Sequence, residues 1–230
     1  MAANPDVTRQ TIQADFDRIA LLSNGVWDHN GHYADFLLRQ APRNCHEALE
    51  IGCGTGSFSR LLAQRSQKVL AIDLSSQMIR IARTRSRQVP NIDFQVADVM
   101  ALELRERHFE CVVSIATLHH LPFAEMLGRM KAALKSGGIL LVLDLFEPEG
   151  PLDMIRNVLA LPVSGVIRLS RTGRLRPPRA LREAWDEHGR RDTYPTLNQV
   201  RQVCADVLPG ARIKKHLLWR YSIVWKKTSD

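Results

Sequence analysis

The chain has 230 residues, 45% of them apolar and 24% charged, with a formal net charge of +8. That length and balance suit one α/β domain with a sizeable core, or a core with a small cap, and exclude a chain disordered over most of its length. The four cysteines, Cys45, Cys53, Cys111 and Cys204, form no CxxC pair, so reduced thiols in a cytoplasmic protein are expected, with neither a disulfide framework nor a metal site.

The first twenty residues lack a basic stretch followed by an apolar run, so no secretory signal is read there. Ile12, Phe16, Ile19 and Ala20 recur at helical spacing, and a second short helix fits Tyr33–Gln40, ended by Pro42. This 1–42 segment precedes the first strand and is expected to lie as a lid across the ligand edge of a sheet. From residue 48 onward short β-branched runs alternate with helical patterns, which is the signature of βαβ units and a parallel sheet. Strands are predicted at Glu47–Ile51, Lys68–Ile72, Ile92–Val96, Phe109–Ile115 and Ile139–Leu145. Between them, Phe58, Leu61 and Leu62 mark one helix. Met78, Ile79 and Ala82 mark another, capped by Ser75 or Ser76. A third, Ala124–Leu134, is expected to stop at Ser136-Gly137-Gly138.

Residues 147–195 hold six of the eleven prolines, and regularity breaks there. They read as a cap inserted into a single domain whose core is 43–146 and whose closing part is 196–230. Thr196 with Gln199 makes a capping box for a helix over Leu197–Val207. Arg212–Leu218 and Tyr221–Lys226 are too close for a crossover helix and must pair antiparallel. The longest apolar stretch, 158–167, contains Pro162 and falls short of the ~20 residues needed to cross a bilayer.

The chemistry gathers at the strand ends, where open parallel sheets bind their ligands. Gly52, Gly54 and Gly56 alternate directly after the first strand, leaving backbone N–H groups free to face a ligand anion. The loop is an imperfect dinucleotide fingerprint, because Ser57 stands at its sixth position. Glu50, at its mouth, would repel a pyrophosphate but favour an ammonium group. Asp73 lies 21 positions after Gly52 at the second strand end, a separation suited to ribose hydroxyls. Asp98, past the third strand, is placed to accept from the amino group of adenine. Acids at three successive strand ends fit an adenosine that carries an amino acid.

At these residues the sequence resembles the class I S-adenosylmethionine-dependent methyltransferases, in their small-molecule branch. The likeness is carried by E-I-G-C-G-T-G (50–56), A-I-D-L (71–74), A-D-V (97–99), S-I-A-T-L-H-H-L (114–121) and L-K-S-G-G (134–138). It implies a doubly wound, mostly parallel seven-stranded α/β sheet with an antiparallel last strand, and S-adenosyl-L-methionine as methyl donor. By the same resemblance, Gly52, Cys53, Gly54 and Gly56 carry the cofactor loop with Glu50 behind it. Asp73 and Leu74 meet the ribose, and Met78 packs on the adenine or ribose. Asp98 and Val99 hold adenine, while Ser114 and Ile115 lie beneath the methionyl chain.

His119 and His120 follow the fourth strand at the ligand edge and are the candidates for taking a proton from the acceptor. His29, Tyr33 and Tyr194 are substrate-side candidates, with His32 and His188 behind them. In the cap, Met154, Ile155, Val158, Leu159 and Leu161 read as one apolar face selecting a small, fairly hydrophobic acceptor. The surplus charge sits in Arg80–Arg87 and Arg168–Arg182, without the interleaved aromatic residues a nucleic-acid binder would carry. Those clusters read as a solvated face and an exposed linker. They keep open an RNA or protein methyltransferase, although S-I-A-T is not the N/D-P-P-Y type of strand-four motif. A cofactor-binding module without transfer activity, and a weak membrane-surface contact through 152–182, remain further readings.

Overall fold

The computed structural model describes residues 9–23 and 29–228, without the side chains of 152 and 155–157; the expected place of Ile155 in an apolar face lies outside the described residues. Seven strands form one sheet: β1 (Cys45–Ile51), β2 (Ser66–Asp73), β3 (Ile92–Val96), β4 (Phe109–Ile115), β5 (Leu134–Leu145), β6 (Arg212–Lys215) and β7 (Arg220–Lys226). Their spatial order is β3-β2-β1-β4-β5-β7-β6. The first five are mutually parallel, and β7 runs antiparallel to both of its neighbours. Strand order reverses between β1 and β4, so the ligand crevice of such a sheet opens at their carboxyl ends.

The sheet is buried on both faces, and the two-residue period of its strands sorts each side chain to one of them. Leu49, Ile51, Val112, Leu140 and Val142 pack toward α5 (Phe123–Ala133) and α8 (Leu197–Val207). Ala48, Cys111, Val113, Leu141 and Leu143 face α2 (Ala34–Gln40), α3 (Ser57–Leu62) and α4 (Ser76–Arg85). Glu50 shares the parity of Ala48, which turns its carboxyl toward α3. α1 (Arg9–Leu22) lies over the ligand edge, where Ile19 and Ala20 pack with Met78 of α4 and with Leu181 and Ala184 of α7 (Arg179–Gly189). Asp17 fastens α1 to the start of α4 by accepting from Ser75 Oγ at 2.5 Å and from the Gln77 N–H at 3.1 Å.

The predicted strands and the expected caps at Ser75 and Thr196 form as the spacing implied. Three expectations change. The helix predicted to reach Leu134 ends at Ala133, and Ser136-Gly137-Gly138 lie inside β5, where the register against β4 shifts. β6 stops at Lys215, because the chain turns at Leu218 and Trp219 with φ of 58° and 60°. The proline-rich 147–195 segment is mainly helical: α6 covers Pro151–Thr172 and α7 follows. Two of its six prolines sit at helix starts, Pro151 in the first turn of α6 and Pro178 as the N-cap of α7; Pro148, Pro177 and Pro195 lie in the connections, and Pro162 lies inside α6. The arginine-rich stretch therefore belongs largely to helix faces rather than to a linker. Among the described residues no helix is long and apolar enough to cross a membrane.

Candidate active site

The glycine turn joins the end of β1 to its neighbours by close contact. Gly52 has φ +72°, and a Cβ there would stand 1.9 Å from Thr117 Oγ1, on the loop after β4. Gly54 differs. Its φ is +52°, yet nothing lies within 4 Å of where its Cβ would be, so the turn presents open backbone to the crevice. The Gly54 N–H donates to Asp73 Oδ2 at 2.7 Å, and the Ser75 N–H donates to Oδ1 at 2.9 Å. Burial raises the Asp73 pKa against the pull of those two donors. Asp98 accepts from the Met100 N–H at 2.8 Å, and its other oxygen pairs with Arg9 of α1 at 2.5 Å.

Glu50 stands at the base of this turn rather than at its mouth. It is 2% exposed and accepts from Ser59 Oγ of α3 at 2.5 Å. Burial pushes its pKa up to about 8, against the Ser59 hydrogen bond, with Asp73 adding to the rise. The carboxyl is thus mostly protonated at neutral pH. Cys53, Met78 and Val99 are buried, and Ser114 Oγ donates to the Ile51 carbonyl at 3.1 Å, locking β4 to β1. Leu74 and Ile115 are half-buried at their strand ends.

A second group assembles where β4 and β5 end. His119 and His120 lie on a short 3-10 turn, Leu118–His120. The His119 backbone N–H donates to Asp144 Oδ2 at 3.0 Å, and its Nδ1 lies 2.6 Å from Oδ1. Asp144 is fully buried in β5 and so holds that imidazole in one orientation. Asp192, after α7, faces both rings: Oδ2 is 3.9 Å from His119 Nε2, and Oδ1 is 3.6 Å from His120 Nδ1. His188 joins from α7, with Nε2 3.5 Å from Asp192 Oδ2 and Nδ1 3.0 Å from Asp15 Oδ2 of α1. Phe16 of α1 closes the group edge-on to the His120 and His188 rings. Burial, then His119 and His188, push the His120 pKa down to about 2, so this imidazole is neutral.

Tyr194 bridges this group to a cavity of about 460 Å³. Its hydroxyl donates to Asp192 Oδ2 at 3.1 Å, and burial raises its pKa, keeping it a phenol. Asp192 and Tyr194 share the cavity wall with Leu145, Phe146 and Trp219. His29 and Tyr33 stand one residue removed. The His29 ring meets Trp219 edge-on with its Nε2 2.7 Å from Ser164 Oγ of α6, and Tyr33 Oη donates to the Leu217 carbonyl. Both brace the turn that carries Trp219. Burial, then Arg220 and Arg168, lower the His29 pKa to about 4.

Sequence reading missed Asp144, Asp192 and Asp15. Asp144 left a signal, an aspartate inside an otherwise apolar central strand, where carboxylates are rare unless partnered. Asp192 and Asp15 left none, since only the docking of α1 and α7 brings them to the histidines.

A family model described as a methyltransferase domain matches residues 48–138. An uncharacterized methyltransferase of Mycobacterium tuberculosis is 30% identical over 204 residues, covering 87% of this chain and 96% of that relative. The chain belongs to the class I S-adenosylmethionine-dependent methyltransferases. A ubiquinone biosynthesis O-methyltransferase of Xanthomonas campestris is 29% identical over 154 residues, 61% of this chain and 64% of that one. The N-methyltransferase NodS of Bradyrhizobium japonicum, solved with S-adenosyl-L-homocysteine, superposes with a TM-score of 0.63 at 16% identity, over 94% and 98% of the two chains. That likeness is one of fold. The methyltransferase takes S-adenosylmethionine as its cofactor, and the open backbone at Gly54, beside acids at the ends of β2 and β3, fits such a group.

Proposed function

We propose that this methyltransferase methylates a small, largely apolar acceptor seated in the cavity of Leu145, Phe146, Tyr194 and Trp219. The observation that carries the reading is the shared wall: Asp192 and Tyr194 line the cavity and also touch the histidine group. An acceptor held by apolar walls would turn its one polar atom toward them. The Xanthomonas relative is named an O-methyltransferase, which supports an oxygen atom there.

Gly54 and its neighbours would cradle the methionyl end of the cofactor, Asp73 would accept from the ribose hydroxyls, and Asp98 would accept from the adenine amine. Arg9 would share Asp98 or release it. S-adenosylmethionine supplies an activated methyl on a sulfonium sulfur, which keeps the bond pair as a neutral thioether when an acceptor lone pair takes the methyl carbon. The chain's own work is alignment, worth roughly 7–11 kcal/mol in favourable cases, and disposal of the acceptor's proton. That proton would pass to the His119–Asp192 group and from there to water.

The test is turnover with labelled S-adenosylmethionine and a panel of hydroxylated aromatic and aliphatic acceptors. Transfer to apolar members with stoichiometric S-adenosylhomocysteine is the expected result, and Trp219→Ala raises the acceptor KM while leaving the cofactor Kd in place. Cofactor binding without transfer to any member would favour a binding module and overturn the proposal.

A further inference from the structure

We infer that His119, His120 and Asp192 form a divalent-metal site at the acceptor end of the crevice, with His188 beside Asp192. The inference deepens the proposed acceptor site and rests on that reading for its role, though not for its existence. Two imidazoles and one carboxylate bring ligand atoms within 4.8 Å of one another. This donor set suits first-row ions such as zinc, iron or manganese, with positions left open.

Three features set the group apart from an ordinary hydrogen-bonded cluster. First, the separations are wrong for hydrogen bonds and near those of ligands around one ion. The imidazole nitrogens stand 3.6 and 3.9 Å from the Asp192 oxygens, whereas bonds of about 2.0–2.2 Å to one ion place ligand atoms about 3–3.6 Å apart. A contraction of a few tenths of an ångström brings each nitrogen–oxygen pair into that range, within a set whose ligand atoms all lie inside 4.8 Å of one another. Second, the outer partners are those of metal-bound histidines, which usually give their second nitrogen to a carboxylate. Asp144 holds Nδ1 of His119 and Asp15 holds Nδ1 of His188, which leaves both Nε2 atoms directed at Asp192. Third, the protein satisfies the group poorly. His120 Nδ1 stands 3.6 Å from Asp192, too far for a hydrogen bond, and among the described residues its Nε2 is buried with no partner, so no described hydrogen bond fixes this ring and Nδ1 has no competing partner. Tyr194 Oη is the one described hydrogen-bond donor to the Asp192 carboxylate.

An ion here reaches the cavity through the wall formed by Asp192 and Tyr194. There it would attract an acceptor oxygen and, as a Lewis acid, ease loss of its proton directly to water, because the ion takes the His119 and Asp192 atoms that would otherwise receive that proton. The substrate class is thereby narrowed to acceptors bearing a hydroxyl able to bind a divalent ion.

The experiment uses the full, tag-free chain stripped with chelator, titrated with Zn(II) by calorimetry and with Co(II) by visible absorption. One ion per chain is expected, with the Co(II) bands of a site of low coordination number. Asp192→Asn lowers Zn(II) affinity at least 100-fold, and Asp144→Asn lowers it about 10- to 100-fold. His46→Gln, at an exposed histidine, leaves it unchanged. Where Asp192→Asn does not fold, His120→Gln takes its place. Substoichiometric binding, or equal affinity in wild type and the ligand variants, overturns the site. The two readings fail separately: stoichiometric metal without transfer to any acceptor defeats the methylation proposal alone, and transfer by a chain that binds no metal defeats the metal site alone.

Discussion

Glu50→Gln keeps the side-chain shape and the oxygen that accepts from Ser59 Oγ, and removes only the ability to ionise. In the native chain burial raises this carboxyl to about 8, from 4.5 in the absence of the fold. The folded protein therefore retains a proton that the unfolded chain gives up above pH 4.5. Stability carried by that proton is full below pH 4.5 and is lost as pH climbs toward 8, at about 1.4 kcal/mol per pH unit. Over the whole interval the loss is of order 5 kcal/mol, and between pH 6 and 8 about 2–3 kcal/mol. The glutamine variant has no such term. Urea unfolding of both proteins at pH 6, 7 and 8, at fixed ionic strength, should show the variant gaining on the wild type by that amount. In thermal melts the relative gain is about 4–12 °C for a chain of this size. A difference that stays flat from pH 6 to 8 would refute the reasoning, because it would mean that Glu50 is already ionised in the folded state.

The two glycines at the turn should part company on substitution. Gly52→Ala drives a Cβ into Thr117 Oγ1 and costs roughly 2–5 kcal/mol in denaturant unfolding, combining backbone strain with a clash. Gly54→Ala meets nothing in the fold and costs about 1–2 kcal/mol, while its S-adenosylmethionine Kd, read by calorimetry, rises at least tenfold. Asp144→Asn frees the His119 ring and lowers kcat at least tenfold with little change in cofactor Kd, as steady-state kinetics will show. Arg9→Ala removes an exposed ion pair, shifts stability by less than about 1 kcal/mol, and tightens cofactor binding by releasing Asp98.

Much of this protein is legible locally. The parallel strands announce themselves as apolar runs, the caps at Ser75 and Thr196 depend on residues three apart, and the glycine turn follows directly from the end of β1. Asp73 and Asp98 stand along one edge because successive strand ends of a parallel sheet share it. Other features are decided by packing. Glu50 faces α3 rather than the crevice because strand parity and the position of Ser59 direct it there, and burial then keeps it protonated. The prolines of 147–195 signal irregular chain to a local reading, yet Pro151 and Pro178 open helices, which a fixed φ permits, and α6 runs through Pro162. The histidine–aspartate group is the least legible of all. His119 and Asp192 are 73 residues apart, and no periodicity links them. They meet because α7 docks beside α1 over the ends of β4 and β5, and a contact made by that docking is written in the tertiary arrangement alone.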